Sequence, residues 1–416
     1  MTALWRHELR IFLRQRIALP ALLLMLALSA ASVWAGLAEV SRQNAVIERI
    51  QPQQAEDHAA VAGHALRDRD PGNAAYYTFY ATWDRPSSLA FAALGQRDVA
   101  PYLLRVRALA LESQIHESEN YNAELALPGR FDWAFVLTFL APLILIVLLH
   151  DLFSAEREAG RLRLLRVMAH DRRGWWLRRI ALRAGLLLAA LIVPVVIGGL
   201  IGGAGLAILG LVGIAALYIG FWVLLCLLVS RFKLGSIANA ATLAATWLVL
   251  TLVLPALALL LINAAVPVRQ GVELTLAQRE AVHGGWDKTK QETLQAFLNH
   301  YPQYRDTRPV EGGFHWKWYY AFQHLGDLSV AEQAAAYRSG LEARDAWTRR
   351  LAIVLPPLAT QVTIHRLAET DLAAQLAYQD RIRTYHRQLR EFYYPYIFDE
   401  RPFGPEEFKA APRWSE

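Results

Sequence analysis

Five stretches of this 416-residue chain hold no Asp, Glu, Lys or Arg in their interiors, and the whole sequence contains one cysteine. The lone Cys226 excludes an intrachain disulfide and any site built on paired thiolates. Uncharged apolar runs argue against an ion-coupled carrier, which needs ionisable or unwound polar groups at membrane depth to hold the driving ion. A phosphate-cradling Gly-x-x-x-x-Gly-Lys-Ser/Thr loop is missing, and Gly284-Gly285-Trp286-Asp287-Lys288-Thr289 has the wrong spacing to replace it. A Gly-x-Ser-x-Gly elbow and a His-Glu-x-x-His pair are missing too, so nothing in the sequence points to catalysis. His283, His300, His315 and His324 lie near one another in sequence, but without cysteine or tightly spaced acids they do not mark a metal site.

What is present is apolar residue in bulk, 55% of the chain, gathered into runs that alternate with charged blocks. A hydrocarbon layer about 30 Å thick needs about 20 apolar residues in a helix, because lipid offers backbone groups no other partner. The sequence predicts five such helices, at 17–36, 132–153, 181–201, 205–230 and 236–266. The fold class expected is an all-α polytopic membrane protein. Short loops rich in Lys and Arg stay in the cytoplasm. Arg6, Arg10, Arg14 and Arg16, against the single acid Glu8, place the N-terminus inside. Arg157 to Arg179 between the second and third spans, and Arg231 and Lys233 between the fourth and fifth, follow the same rule. The Gly202-Gly203-Ala204-Gly205 link is uncharged and falls outside. The net charge of +6 and pI near 9.4 therefore reflect topology, not nucleic-acid binding.

The remaining mass, 37–131 and 267–416, is expected outside the cytoplasm as one mostly helical domain. Leu103, Val106, Leu109, Leu111 and Ile115 fall near helical spacing, as do Leu372, Leu376, Ile382, Tyr385, Leu389 and Phe392. Asp70-Pro71-Gly72 and Glu311-Gly312-Gly313 read as turns. Leu351 to Ile364 is apolar but short and carries Pro356-Pro357. It reads as a core or interfacial helix, with a sixth crossing as the alternative. Pro142, Pro194 and Pro255 are candidates for helix kinks.

The segment from Phe153 to Arg173 follows the second span. Leu162, Leu165 and Met168 fall on one face, with Arg161, Arg163 and Arg166 around them, and Glu156 and Glu158 ahead. Such a segment lies on anionic lipid or docks a partner, whose basic groups the two acids would then meet. Its Glu156-Arg157-Glu158-x-Gly160-x-Leu162-x-Leu164-Leu165 pattern resembles the membrane subunits of ABC type-2 exporters. In that family the matching segment is the coupling helix that docks on the ATPase, which here assigns Glu156, Arg157, Glu158, Gly160, Arg161, Leu162, Leu164 and Leu165 to docking. The opening Leu4 to Arg14, with Trp5, Glu8, Leu9 and Phe12, looks like the family's amphipathic elbow helix at 1–16. Leu89 to Asp98, Pro101 and Gly129-Arg130-Phe131-Asp132 resemble the subgroup with a large insertion between the first two spans.

The resemblance implies a permease subunit in the bacterial inner membrane, partnered by a cytoplasmic ABC ATPase and a second permease copy or a related permease. ATP and Mg would then belong to the ATPase and no cofactor to this chain. The alternative is a membrane-anchored binding or sensor protein. Tyr76, Trp83, Trp316 and Trp318 lie in aromatic-dense stretches that serve either core packing or a ligand surface.

Overall fold

The computed structural model describes residues 2–64, 69–116, 131–162, 167, 172–268 and 271–415. Five helices are long and apolar enough to cross a membrane among these residues. The chain is an all-α polytopic membrane protein, and its only sheet among the described residues is a two-stranded one.

The first span is part of a much longer element. One helix runs from Ala18 to His64, 47 residues, or about 70 Å at 1.5 Å per residue. Beyond Gly36 the sequence turns polar but stays rich in Ala, Glu, Gln and Arg and has no glycine before Gly63; Pro52 removes one backbone donor inside it, yet the helix continues to His64. Its membrane portion buries Met25, Ser29 and Val33, and its outer portion buries Ile47 in the domain core. The expected boundary at residue 37 is thus a change of environment within one rod.

The other spans are Trp133–Glu158, Gly174–Ile201, Gly205–Ser230 and Ser236–Ala265. The second and fifth each contain a π-helical stretch, Val136–Leu140 and Val249–Val253, just before Pro142 and Pro255. Proline has no N–H, so a carbonyl one turn earlier loses its helical donor. The Thr138 carbonyl accepts instead from the Tyr218 hydroxyl of the fourth span (2.8 Å), and the Phe139 carbonyl accepts from Trp247 Nε1 of the fifth (3.1 Å). These bonds lock three spans together where lipid would leave the groups unpaired. Between the third and fourth spans, Gly203 (φ +70°) and Gly205 (φ +54°) take the left-handed conformations that make the turn.

Residues 37–64, 69–116 and 271–415 build one domain at the end of the bundle where Gly203 lies, except that the helix Pro356–Leu367 packs among the spans through Ile364. Its core joins Phe297, Tyr320, Tyr378, Leu389, Tyr393 and Phe398, all buried. The helix Leu372–Phe398 follows its predicted periodicity and is capped by Asp371, which accepts from the Ala374 N–H (3.1 Å). The helical reading of 103–115 is wrong. Leu103–Val106 is a strand paired antiparallel with Tyr80–Trp83, Tyr80 opposite Val106, and only Glu112–Ile115 makes a helical turn. A distant strand supplies the hydrogen bonds there, and tertiary pairing overrides a weak local period. Asp70-Pro71-Gly72 starts a helix, Pro71–Tyr77, with the Asp70 carboxylate accepting from the Gly72 and Asn73 N–H groups.

Leu351 to Ile364 forms no single helix long enough to cross a membrane. It is interrupted at Ile353–Leu355, the turn of a hairpin between the helices Ala331–Ala352 and Pro356–Leu367. The two prolines open the second helix, where the missing N–H costs nothing. That helix has 12 residues, about 18 Å, well short of the bilayer core.

Candidate functional site

At the end of the bundle away from the domain, the helix Thr2–Leu13 packs on the third span and buries Phe12 and Glu8. A buried carboxylate needs partners. Trp175 Nε1 donates to Glu8 Oε1 (2.8 Å), and Arg179 Nε lies 3.4 Å from Oε2. Arg179 also reaches Glu156 Oε1 (3.3 Å), whose other oxygen takes Arg161 Nε (2.9 Å). Arg183 donates to the Leu148 carbonyl. One chain of charges, Arg161–Glu156–Arg179–Glu8, therefore ties the N-terminal helix to the second and third spans.

Glu158 serves the fifth span. Its carboxylate accepts from the Ser236 N–H (2.7 Å) and hydroxyl (3.0 Å), satisfying the first turn of that helix where the dipole favours a negative charge. Arg157 donates to the Leu234 carbonyl in the preceding link. Glu156 and Glu158, the acids expected to meet basic groups of a docking partner, both have partners within the chain. The local helix Ser154–Glu158 is short, and Gly160, at φ +72° with open space around it, ends it. Gly160 and Arg161 are exposed beside half-buried Leu162, while Leu164 and Leu165 lie outside the described residues. In the N-terminal helix, Trp5 is exposed and Leu9 half-buried. Sequence reasoning missed Trp175, Arg179 and Ser236. Glu8, the one acid among four arginines, was the signal that a buried ion pair waited there.

At the other end, the segment Leu89 to Asp98 joins domain to bundle. Phe91 is buried, and its backbone lies so close to the first-span helix that a Cβ added to Gly36 would stand 1.9 Å from the Phe91 oxygen. The Phe91 ring approaches Gly198 of the third span. Asp132, at the start of the second span, accepts from the Leu94 and Phe135 N–H groups (3.0 and 2.9 Å). Arg97, also buried, donates to Gln43 on the long helix (3.0 Å) and to Asp84, which in turn pairs with Arg381. The Gln96 N–H reaches the Thr370 carbonyl (2.7 Å), and Gly95 takes φ +49° to permit it. Of the residues in the Gly129 to Asp132 motif, Phe131 and Asp132 are described and Gly129 and Arg130 are not.

The aromatic candidates divide. Trp83 and Trp318 are core residues, the former's carbonyl accepting from Trp414 Nε1 (3.1 Å). Tyr76 and Trp316 stand together, ring centroids 5.4 Å apart, in a partly exposed cluster with Tyr77, Tyr319, Trp286 and Phe314. A cleft of about 460 Å³ beside it is lined by Phe314, Trp316, Tyr396, Asp70, Glu400 and Arg401.

A second cleft of about 480 Å³ runs over the buried pair Arg390–Asp327 (2.7 Å). Burial alone would raise the Glu112 carboxyl at its edge, but hydrogen bonds from His116 and Arg383 prevail and bring it down to about 2. Burial, with Arg390 close by, pushes His324 down to about 3. The unfolded chain takes up a proton on histidine near pH 6.5 and the folded one does not, so stability falls as pH drops from 6.5 toward 3. Glu112 adds to the loss below about 4.5. His324→Gln should reduce the slope between pH 6.5 and 5 by about 1.1 kcal/mol per pH unit, a histidine half protonated at the upper end contributing less than one whole proton there, read from thermal midpoints of the detergent-solubilised chain. An unchanged slope would refute the assignment to His324.

Fold and sites together define a multi-pass α-helical membrane protein whose domain is clamped to its bundle. Residues 272–416, the part of the domain that follows the fifth span, match a family described as "Domain of unknown function (DUF3526)". No curated protein and no solved structure matches the chain.

Proposed function

We propose that this chain is the permease subunit of an ABC transporter of the type-2 exporter kind, coupling ATP hydrolysis by a separate cytoplasmic subunit to export or to movement of an extracytoplasmic domain. The observation that carries the reading is the single helix Ala18–His64. Its inner end adjoins the helix Thr2–Leu13, which the charge chain fastens to the docking segment through Glu8 and Arg179, and its outer part packs on the domain core through Ile47 and Ile50 before Pro52 and through Val61 and Ala62 after it. A continuous helix held at both ends transmits displacement without losing it in a loop. A membrane-anchored receptor has less use for a rod braced at the cytoplasmic face. The basic segments at that face orient the chain with its N-terminus inside and its domain outside.

The exposed Gly160–Arg161 corner is the surface offered to the ATPase. Mild-detergent extraction from its native membrane should recover the chain with a soluble nucleotide-binding protein. Arg161→Glu should lower that recovery about tenfold, the size expected for losing a well-placed interfacial charge, whereas Glu156→Gln, which breaks the Arg161–Glu156 pair without touching the exposed charge, should leave it within about twofold. Glu158→Lys is a poorer probe because it also uncaps the fifth span. Purification of a fully active chain with no nucleotide-binding partner would sink the reading.

A further inference from the structure

We propose that the tip of the hairpin between Ala331–Ala352 and Pro356–Leu367 inserts among lipid acyl chains in the leaflet nearest the domain, with Arg349 and Arg350 at the lipid phosphates. The tip presents Ile353 and Val354, 83% and 69% exposed. Two neighbouring β-branched apolar side chains at a turn are costly in water, at about 25 cal/mol per Å² of apolar surface.

Their depth follows from what the hairpin touches. Ala352, Leu355 and Leu358 pack with Leu254, Ala258 and Ile262 of the fifth span. That span starts at Ser236, so Leu254 lies about 27 Å along it, close to the full thickness of the hydrocarbon core. The tip thus stands at the domain-side boundary of the core. Its apolar surface continues that of the fifth span, whose Leu257, Leu260 and Leu261 are exposed alongside.

The chemistry one turn back selects lipid over another protein surface. Arg349, which also pairs with Asp345 (3.1 Å), and Arg350 are exposed, and the Arg350 guanidinium lies 4.8 Å from the centre of the Trp347 ring, itself 44% exposed. Arginine beside tryptophan just outside an apolar tip is the arrangement of an interfacial anchor. The ring sits at headgroup level and the guanidinium reaches phosphate. The second hairpin helix returns into the bundle, where Ile364 is fully buried and Leu367 meets Gly210 of the fourth span. The hairpin so anchors the domain at once to lipid and to the spans. This inference requires no ATPase and holds for either orientation of the chain.

Spin labels placed singly at Ile353→Cys and Val354→Cys in a full-length Cys226→Ala background test it. The vesicles are phosphatidylcholine with phosphatidylglycerol, and collisions with oxygen and with a water-soluble nickel chelate are compared by power saturation. Leu257→Cys serves as the span control and Gln333→Cys as the aqueous control. The oxygen-to-nickel ratio at both tip sites should match Leu257 and exceed Gln333 about tenfold, since oxygen partitions into the hydrocarbon and the chelate does not. A ratio like that at Gln333 would put the tip in water and overturn the proposal. Protection from both reagents would put protein, such as a second copy of the chain, over the tip and overturn it equally. Two tip sites guard against one label perturbing the fold.

Discussion

Replacing Gly36 with alanine should destabilise the protein, although alanine is the better helix former by about 1 kcal/mol. A Cβ there would stand 1.9 Å from the Phe91 backbone oxygen, and a backbone atom cannot rotate away as a side chain can. The first-span helix and the Leu89–Ala93 segment would have to separate, opening the contact that joins domain to bundle. Overpacking of this kind costs about 1–3 kcal/mol, and Gly36→Val should exceed that range. Gly63 on the same helix is the control. It has open space around its Cβ position, so Gly63→Ala should be neutral or stabilising by up to about 1 kcal/mol. Thermal midpoints of the two alanine variants in one detergent decide the matter. If Gly36→Ala is as stable as the parent, the close approach is not a constraint on the fold. Under the permease reading, a viable Gly36 variant should also hydrolyse ATP with its partner yet move the domain less, because the clamp is loosened.

Asp327→Asn should strongly destabilise the domain. The Asp327 carboxylate accepts from the Leu111 and Glu112 N–H groups (2.9 and 3.2 Å), from Gln278 Nε2 (3.2 Å) and from Arg390 (2.7 Å). An amide of the same shape keeps some of these bonds but strands the Arg390 guanidinium without its counter-charge in the interior. Breaking a buried pair from one side costs about 3–5 kcal/mol. Removing both charges with a same-sized pair, Asp327→Asn with Arg390→Met, should recover part of the loss, since the stranded charge is gone. Full recovery is not expected, because the Leu111 and Glu112 amides still need an acceptor. Urea or thermal unfolding of the single and double variants gives the comparison. A single variant within 1 kcal/mol of the parent would show that water reaches Arg390.

The five spans were legible because hydropathy is a local property: a run of uncharged residues long enough to cross a bilayer must be helical wherever it lies. The helix Leu372–Phe398 was legible for the same reason, since its apolar period is long and uninterrupted. The glycine turn after the third span followed from composition as well. Failures came where a local signal was short. Leu103 to Val106 carries too few residues for its period to decide, and its partner Tyr80 to Trp83 was read only as an aromatic run. Leu351 to Ile364 was open because a length between a core helix and a span does not say whether the chain crosses or returns.

The sites divide along the same line. Sequence alone determined that the spans are uncharged, that basic residues gather at one face, and that Glu8, Glu156 and Glu158 sit among arginines there. Only the tertiary structure decided which arginine meets which acid, that Glu158 caps the fifth span instead of facing outward, and that Gly36 and Phe91 touch. Those pairings link residues tens to hundreds of positions apart. Their energies depend on burial and on distances of a few ångströms, which no local period or charge count encodes.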